Sequence, residues 1–134
     1  MRELPFDEDD VKTLRGIGKA LKPGGRFLLE TLHRDGLPAR FQSQIAEKTS
    51  NGTIVLHECV WDLARDVIDD HVTLIRLDGT RTEYTTSLRM RSLHQLLALM
   101  RRAGLEPLAW YGGLDGSTLH LGSRRLVLIS TRRP

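Results

Sequence analysis

Leu21-Lys22-Pro23-Gly24-Gly25-Arg26-Phe27-Leu28-Leu29-Glu30 is the stretch on which the reading of this chain turns. A helical pattern precedes it and a short apolar run ends it. Proline cannot continue a helix, and glycine readily adopts the backbone angles that close one, so Pro23-Gly24-Gly25 marks a helix-to-strand turn. Phe27-Leu28-Leu29, bounded by turn residues, predicts a strand buried on both faces, as in a parallel sheet.

Toward the N-terminus, residues 7 to 22 predict an amphipathic helix. Val11, Leu14, Ile17, Gly18 and Leu21 recur at helical spacing along one face. Asp7 is expected to cap the first turn. Glu8, Asp9 and Asp10 suit the positive end of the helix dipole, and Lys19 and Lys22 the negative end.

Toward the C-terminus the texture changes. Residues 33 to 52 are polar and broken by Gly36, Pro38 and Gly52, with Phe41 and Ile45 expected to anchor a short helix. Strands are expected over 54 to 63, 70 to 77 and 80 to 88. Asp78-Gly79 joins the last two as a hairpin turn, since glycine takes the positive φ that such turns require. These segments read as an antiparallel meander with one wetter face. A helix over 93 to 103 opens on Ser92 and Gln95, a capping box that satisfies exposed backbone donors reciprocally. Leu93, Leu96, Leu97 and Met100 form its apolar stripe, and Gly104 ends it. Strands Leu105 to Tyr111 and Leu126 to Thr131 close the chain around a glycine-rich loop, Gly112-Gly113-Leu114-Asp115-Gly116-Ser117. The order mixes a parallel βα unit with an antiparallel finish, an α/β arrangement.

Composition bounds the function. The 134 residues suit one domain, and 40% hydrophobic with 28% charged residues is the balance of a globular chain. No apolar run approaches the roughly 20 residues needed to cross a bilayer, so no membrane partner is expected. The first ten residues are acidic where a secretory signal would be basic, so the expected location is the cytoplasm. A single cysteine, Cys59, excludes an internal disulfide and a cysteine-based zinc site, and reads as a small core residue. Asp69-Asp70-His71 is not read as a metal cluster, because adjacent strand residues point to opposite faces. The net charge is +3, but the arginine doublets 101–102, 124–125 and 132–133 are scattered and aromatics are only 5%. A solvated basic surface is expected, and a nucleic-acid partner is not.

Residues 21 to 30 resemble the turn and fifth strand of class I S-adenosylmethionine-dependent methyltransferases. The acidic helix before them resembles the helix following the family's fourth strand. Tyr84-Thr85-Thr86, Leu93-His94-Gln95-Leu96-Leu97 and Ala103-Gly104-Leu105 resemble the segment around its next helix. The closing strands then correspond to the sixth and seventh, the seventh antiparallel. Residues 53 to 88 resemble the strands that small-molecule members insert as a cover over the methyl acceptor. The resemblance thus implies a single partial domain over 1 to 134, the C-terminal half of a Rossmann-like methyltransferase sheet with an inserted antiparallel meander.

S-adenosylmethionine is the cofactor the resemblance implies, yet the chain alone is not expected to bind it. The site needs a glycine-rich loop after a strand and a carboxylate ending the next strand. The nearest match, Gly16-Ile17-Gly18, follows no strand and lies within a helical pattern, where it reads as close helix packing. The resemblance places His33 on the acceptor side as a candidate base, with Arg34 beside it to hold an acidic acceptor; a solvated loop histidine is the competing reading. His57 and Trp61, four apart on a strand, share one face and can line an acceptor pocket or pack beneath the meander. Glu30 is read as acceptor-facing or ion-paired. Tyr111 and His120 flank the glycine-rich loop and are read as closing over a substrate or as part of an ordinary mobile connection.

Two functions follow as expectations. One is the acceptor-binding half of a methyltransferase acting on a small molecule, inactive alone and completed by an N-terminal half. The other is a non-catalytic assembly domain that dimerises through an exposed sheet edge.

Overall fold

The computed structural model describes residues 5 to 134, with side chains from Asp7 onward. The chain forms two compact units, one of residues up to Pro38 and from Arg91 to Pro134, the other Ala39–Met90.

The first unit holds a helix α1 (Pro5–Ala20), a strand β1 (Arg26–Leu32), a helix α2 (Leu93–Arg102) and strands β6 (Leu105–Tyr111) and β7 (Arg125–Arg132). Its sheet has the order β1-β7-β6. Strand β7 runs antiparallel to both neighbours, so β1 and β6 are parallel to each other across it. That is the expected parallel unit with an antiparallel finish. The α2 capping box is present: Gln95 N–H donates to the Ser92 hydroxyl, and Ser92 N–H donates to the Gln95 side chain. Leu96 and Met100 of α2 pack with Leu105, Leu126 and Leu128 as the core, joined by Phe27, Leu29, Leu14 and Leu21.

Two sequence expectations are corrected here. Helix α1 begins at Pro5, whose fixed φ suits a first helical position. Asp7 therefore lies inside the first turn instead of capping it, and both Asp7 (2.7 Å) and Asp10 receive the Arg91 guanidinium. Strand β1 is not buried on both faces. Phe27 and Leu29 face the core, whereas Leu28 on the opposite face is 50% exposed. Hydrophobic sequence alone could not reveal that β1 is covered on one face only at Leu28.

The second unit is a four-stranded antiparallel sheet, β2 (Gln44–Lys48), β3 (Ile54–Asp62), β4 (Val67–Ile75) and β5 (Arg81–Arg89), paired in chain order. The meander is thus wider than 53 to 88. The region around Ile45 is a strand, not a short helix, and it pairs with β3 from Gln44↔Glu58 to Lys48↔Ile54. It closes through Asn51-Gly52, where Gly52 has φ +85°, the same device that Gly79 supplies between β4 and β5. The Asp78 carboxylate accepts from Thr80 N–H and Oγ1, which holds its pKa below the ordinary range. Val67, Ile68 and Val72 of β4 are buried, whereas β5 is exposed along nearly its whole length.

Candidate functional site

Where β1 ends, three segments of the first unit meet. His33 follows Leu32 directly, and its backbone N–H donates to the Arg124 carbonyl at 3.1 Å. A single 3-10 turn, Arg34–Gly36, then folds the chain back, with Gly36 N–H donating to the His33 carbonyl. Gly36 lies so close to the β6–β7 connection that a Cβ would stand 2.6 Å from the carbonyls of Leu121 and Ser123 and 2.9 Å from the His33 ring. Only glycine fits there.

The connection itself is held by local bonds. Gly112 N–H donates to Ser117 O, His120 N–H to Ser123 Oγ, and Gly122 N–H to His120 Nδ1. Ser117 N–H donates to the Asp115 carboxylate, which lowers the pKa of that exposed acid. His120 is therefore engaged by its own loop.

At this corner His33 is 4% exposed, and neither ring nitrogen has a hydrogen-bond partner among the described residues. The solvated-loop reading is overturned. A buried polar group without a partner costs about 1–3 kcal/mol, so an unpaired imidazole here is one that a ligand atom can satisfy. Neutral imidazole offers one donor and one acceptor, the equipment of a general base.

Glu30 and Tyr111 lie in the same row of this sheet, on either side of Val127, to which both are paired. With neighbouring strands ~4.8 Å apart, the two residues stand roughly 10 Å from each other. Glu30 takes the ion-paired alternative, with Arg125 at 3.3 Å, a half-exposed contact that adds little stability. Arg34 is turned to its neighbour Asp35 at 3.6 Å. Glu30, His33, Arg34 and Tyr111 thus lie toward one end of the three-stranded sheet, with Glu30 and Tyr111 on the face opposite Phe27 and Leu29.

His57 and Trp61 belong to the second unit. They share a face of β3 with Cys59, opposite Val72, Ile68 and Asp70 of β4. Asp70 is a residue that the sequence did not point to as a partner. Its carboxylate meets His57 Nδ1 at 2.9 Å and accepts from the Cys59 thiol at 3.5 Å. Burial and the facing Asp70 carboxylate push the Cys59 thiol above its ordinary pKa, which keeps it protonated and unreactive at neutral pH. Trp61 is held by an indole N–H to Asp66 bond of 2.8 Å and by an edge-on contact with Phe41, ring centres 5.4 Å apart. Alternation does place Asp69 and His71 on the other face, where they meet Ser87 and Thr85. Among the described residues no group of acidic, histidine or cysteine side chains is arranged to hold a metal. No helix is long and apolar enough to cross a membrane.

The cofactor expectation has a direct structural test. Gly16-Ile17-Gly18 lies inside α1, and a Cβ at Gly18 would touch the Leu105 side chain at 3.4 Å. This is a helix packed closely on β6, so these residues do not fit a nucleotide-binding loop.

No family model and no curated protein matches the chain. Solved structures do. The CcbJ methyltransferase from Streptomyces caelestis superposes with a TM-score of 0.83 at 18% identity, over 96% of this chain and 51% of its own. An S-adenosylmethionine-dependent methyltransferase from Clostridium acetobutylicum ATCC 824 gives 0.82 at 13% identity, over 96% and 52%. CalS10, an amino pentose methyltransferase from Micromonospora echinaspora solved with S-adenosylmethionine bound, gives 0.62 at 16%, over 96% and 52%. The chain spans about half the length of these structures. Its fold is that of about half of an S-adenosylmethionine-dependent methyltransferase structure.

Proposed function

We infer that the chain is the acceptor-binding half of an S-adenosylmethionine-dependent methyltransferase acting on a small molecule, and that it transfers no methyl group alone. The reading is carried by the likeness of 96% of this chain to half of a solved methyltransferase. The packing of Gly16-Ile17-Gly18 within α1, with Gly18 against Leu105, supports its second clause.

The chemistry left to this chain is on the acceptor side: holding the nucleophile and taking its proton. His33 is the base. Its unpaired ring nitrogen accepts a hydrogen bond from the acceptor's O–H or N–H and then the proton itself. Glu30 and Tyr111 flank the acceptor on the same sheet face, and Arg34 holds an acidic group if one is present. His57 and Trp61 are the meander's candidate acceptor contacts, with Asp70 holding the His57 imidazole through Nδ1.

The test is a titration of the 15N-labelled chain with a panel of small amines and alcohols, beginning with amino sugars because CalS10 acts on an amino pentose. Binding by one member that shifts the His33 imidazole and the Tyr111 amide is the expected result. A panel that moves only residues remote from the corner counts against the assignment.

One observation favours a second reading, assembly. Strand β1 is an edge of its sheet with Leu28 half exposed, and an unpaired apolar edge is a template for another strand. Light scattering then shows a homodimer whose proportion rises with concentration. A monomer at all concentrations removes this reading.

A further inference from the structure

The basic residues that look scattered in sequence are not scattered in the first unit. Arg15 and Lys19 of α1, Arg102 at the end of α2, and Arg132 and Arg133 at the end of β7 line one open cavity of about 310 Å³. The remaining lining is glycine and alanine, with no acidic and no aromatic side chain. Local structure explains the gathering. Arg15 and Lys19 are one turn apart on a single helix face. Strand β7 ends beside the start of β6, Leu105 opposite Arg132, and Arg133 N–H donates to the Gly104 carbonyl just beyond α2.

Cations near helix C-termini have a structural use, because they complement the helix dipole by about 0.3–1 kcal/mol each. That use is met by fewer than five. Arg132 donates to the Leu21 carbonyl at the end of α1, at 3.1 Å. Arg102 is paired with Glu8 at 2.8 Å and Arg133 with Glu106 at 3.7 Å. Arg15 and Lys19 have no ion-pair partner among the described residues, so the cavity keeps a surplus of positive charge. Like charges around one concave space repel, and an anion relieves the repulsion.

We propose that this cavity binds a compact polyanion, a small molecule carrying two or more phosphate groups. Its volume falls at the lower end of small-ligand sites, and guanidinium groups match phosphate oxygens in a bidentate fashion. The lining offers no ring on which a base would stack, which separates it from a single-strand nucleic-acid groove. The cavity lies at the opposite end of the three-stranded sheet from His33. Strand β1 starts at Arg26 beside Thr131 and ends at Leu32 beside Arg125. Its seven residues, at ~3.3 Å each, put roughly 20 Å between the two ends. The anion site is thus independent of the acceptor corner and does not rest on the methyltransferase reading.

The experiment is calorimetric titration of the 134-residue chain with sodium diphosphate at low ionic strength. Saturable one-to-one binding is expected, weakened about tenfold or more in the Arg15→Gln/Lys19→Gln variant, which removes two exposed charges from a helix that glutamine tolerates. Arg76→Gln/Arg81→Gln removes the same charge from the β4–β5 hairpin and should bind like the parent. Three results overturn the proposal: no saturable binding, equal weakening by both variants, or tighter binding of duplex DNA with affinity rising with its length.

Discussion

Met100→Ala is expected to lower the unfolding free energy by about 2–5 kcal/mol, the range for deleting a fully buried long side chain and leaving a cavity. Met100 has no exposed surface and sits among Leu96, Leu105, Leu126 and Leu128, so it joins α2 to the middle strand of the sheet. Leu14 of α1 and Phe27 and Leu29 of β1 pack against the same cluster, so the deletion loosens contacts among α1, α2 and the sheet together. Against a typical total of about 5–15 kcal/mol, the loss is a large share of the stability. Urea unfolding followed by circular dichroism reads it. A change below about 1 kcal/mol would mean that α2 is not packed through this residue.

His33→Leu is expected to act in the opposite direction. A buried imidazole with neither nitrogen bonded carries an uncompensated desolvation cost, and leucine of similar volume removes it. The variant should gain about 1–3 kcal/mol in the same urea experiment while losing the acceptor-induced changes at the corner. Gain of stability with loss of binding is the pattern of a side chain kept for function. A variant that is less stable than the parent would instead make His33 a structural residue.

Much of the first unit was legible because its signals are local. The Pro-Gly-Gly turn, the Ser92–Gln95 capping box and the 3.6-residue apolar stripe of α2 each depend on residues within one or two turns. Register and packing are not local, and there the sequence was mute. Leu28 reads like its neighbours Phe27 and Leu29, and its exposure follows from its face of an edge strand. Asp70 becomes the partner of His57 only when β3 and β4 align as Cys59↔Asp70. Strand β2 was missed because Ile45 is its one half-buried residue, too little to show alternation, although Asn51-Gly52 carries the same turn chemistry as Asp78-Gly79. The burial of His33 depends on Gly36 being wedged against the distant carbonyls of Leu121 and Ser123. The basic cavity escaped notice because its five cations come from three separate segments.

The central claim is that this chain carries the acceptor side of a methyltransferase and not the cofactor side. Calorimetric titration of the isolated 134-residue chain with S-adenosylmethionine tests it most directly. No saturable heat is the expected result, since Gly16 and Gly18 lie inside helix α1, which packs closely on β6. One-to-one binding in the micromolar range would contradict it.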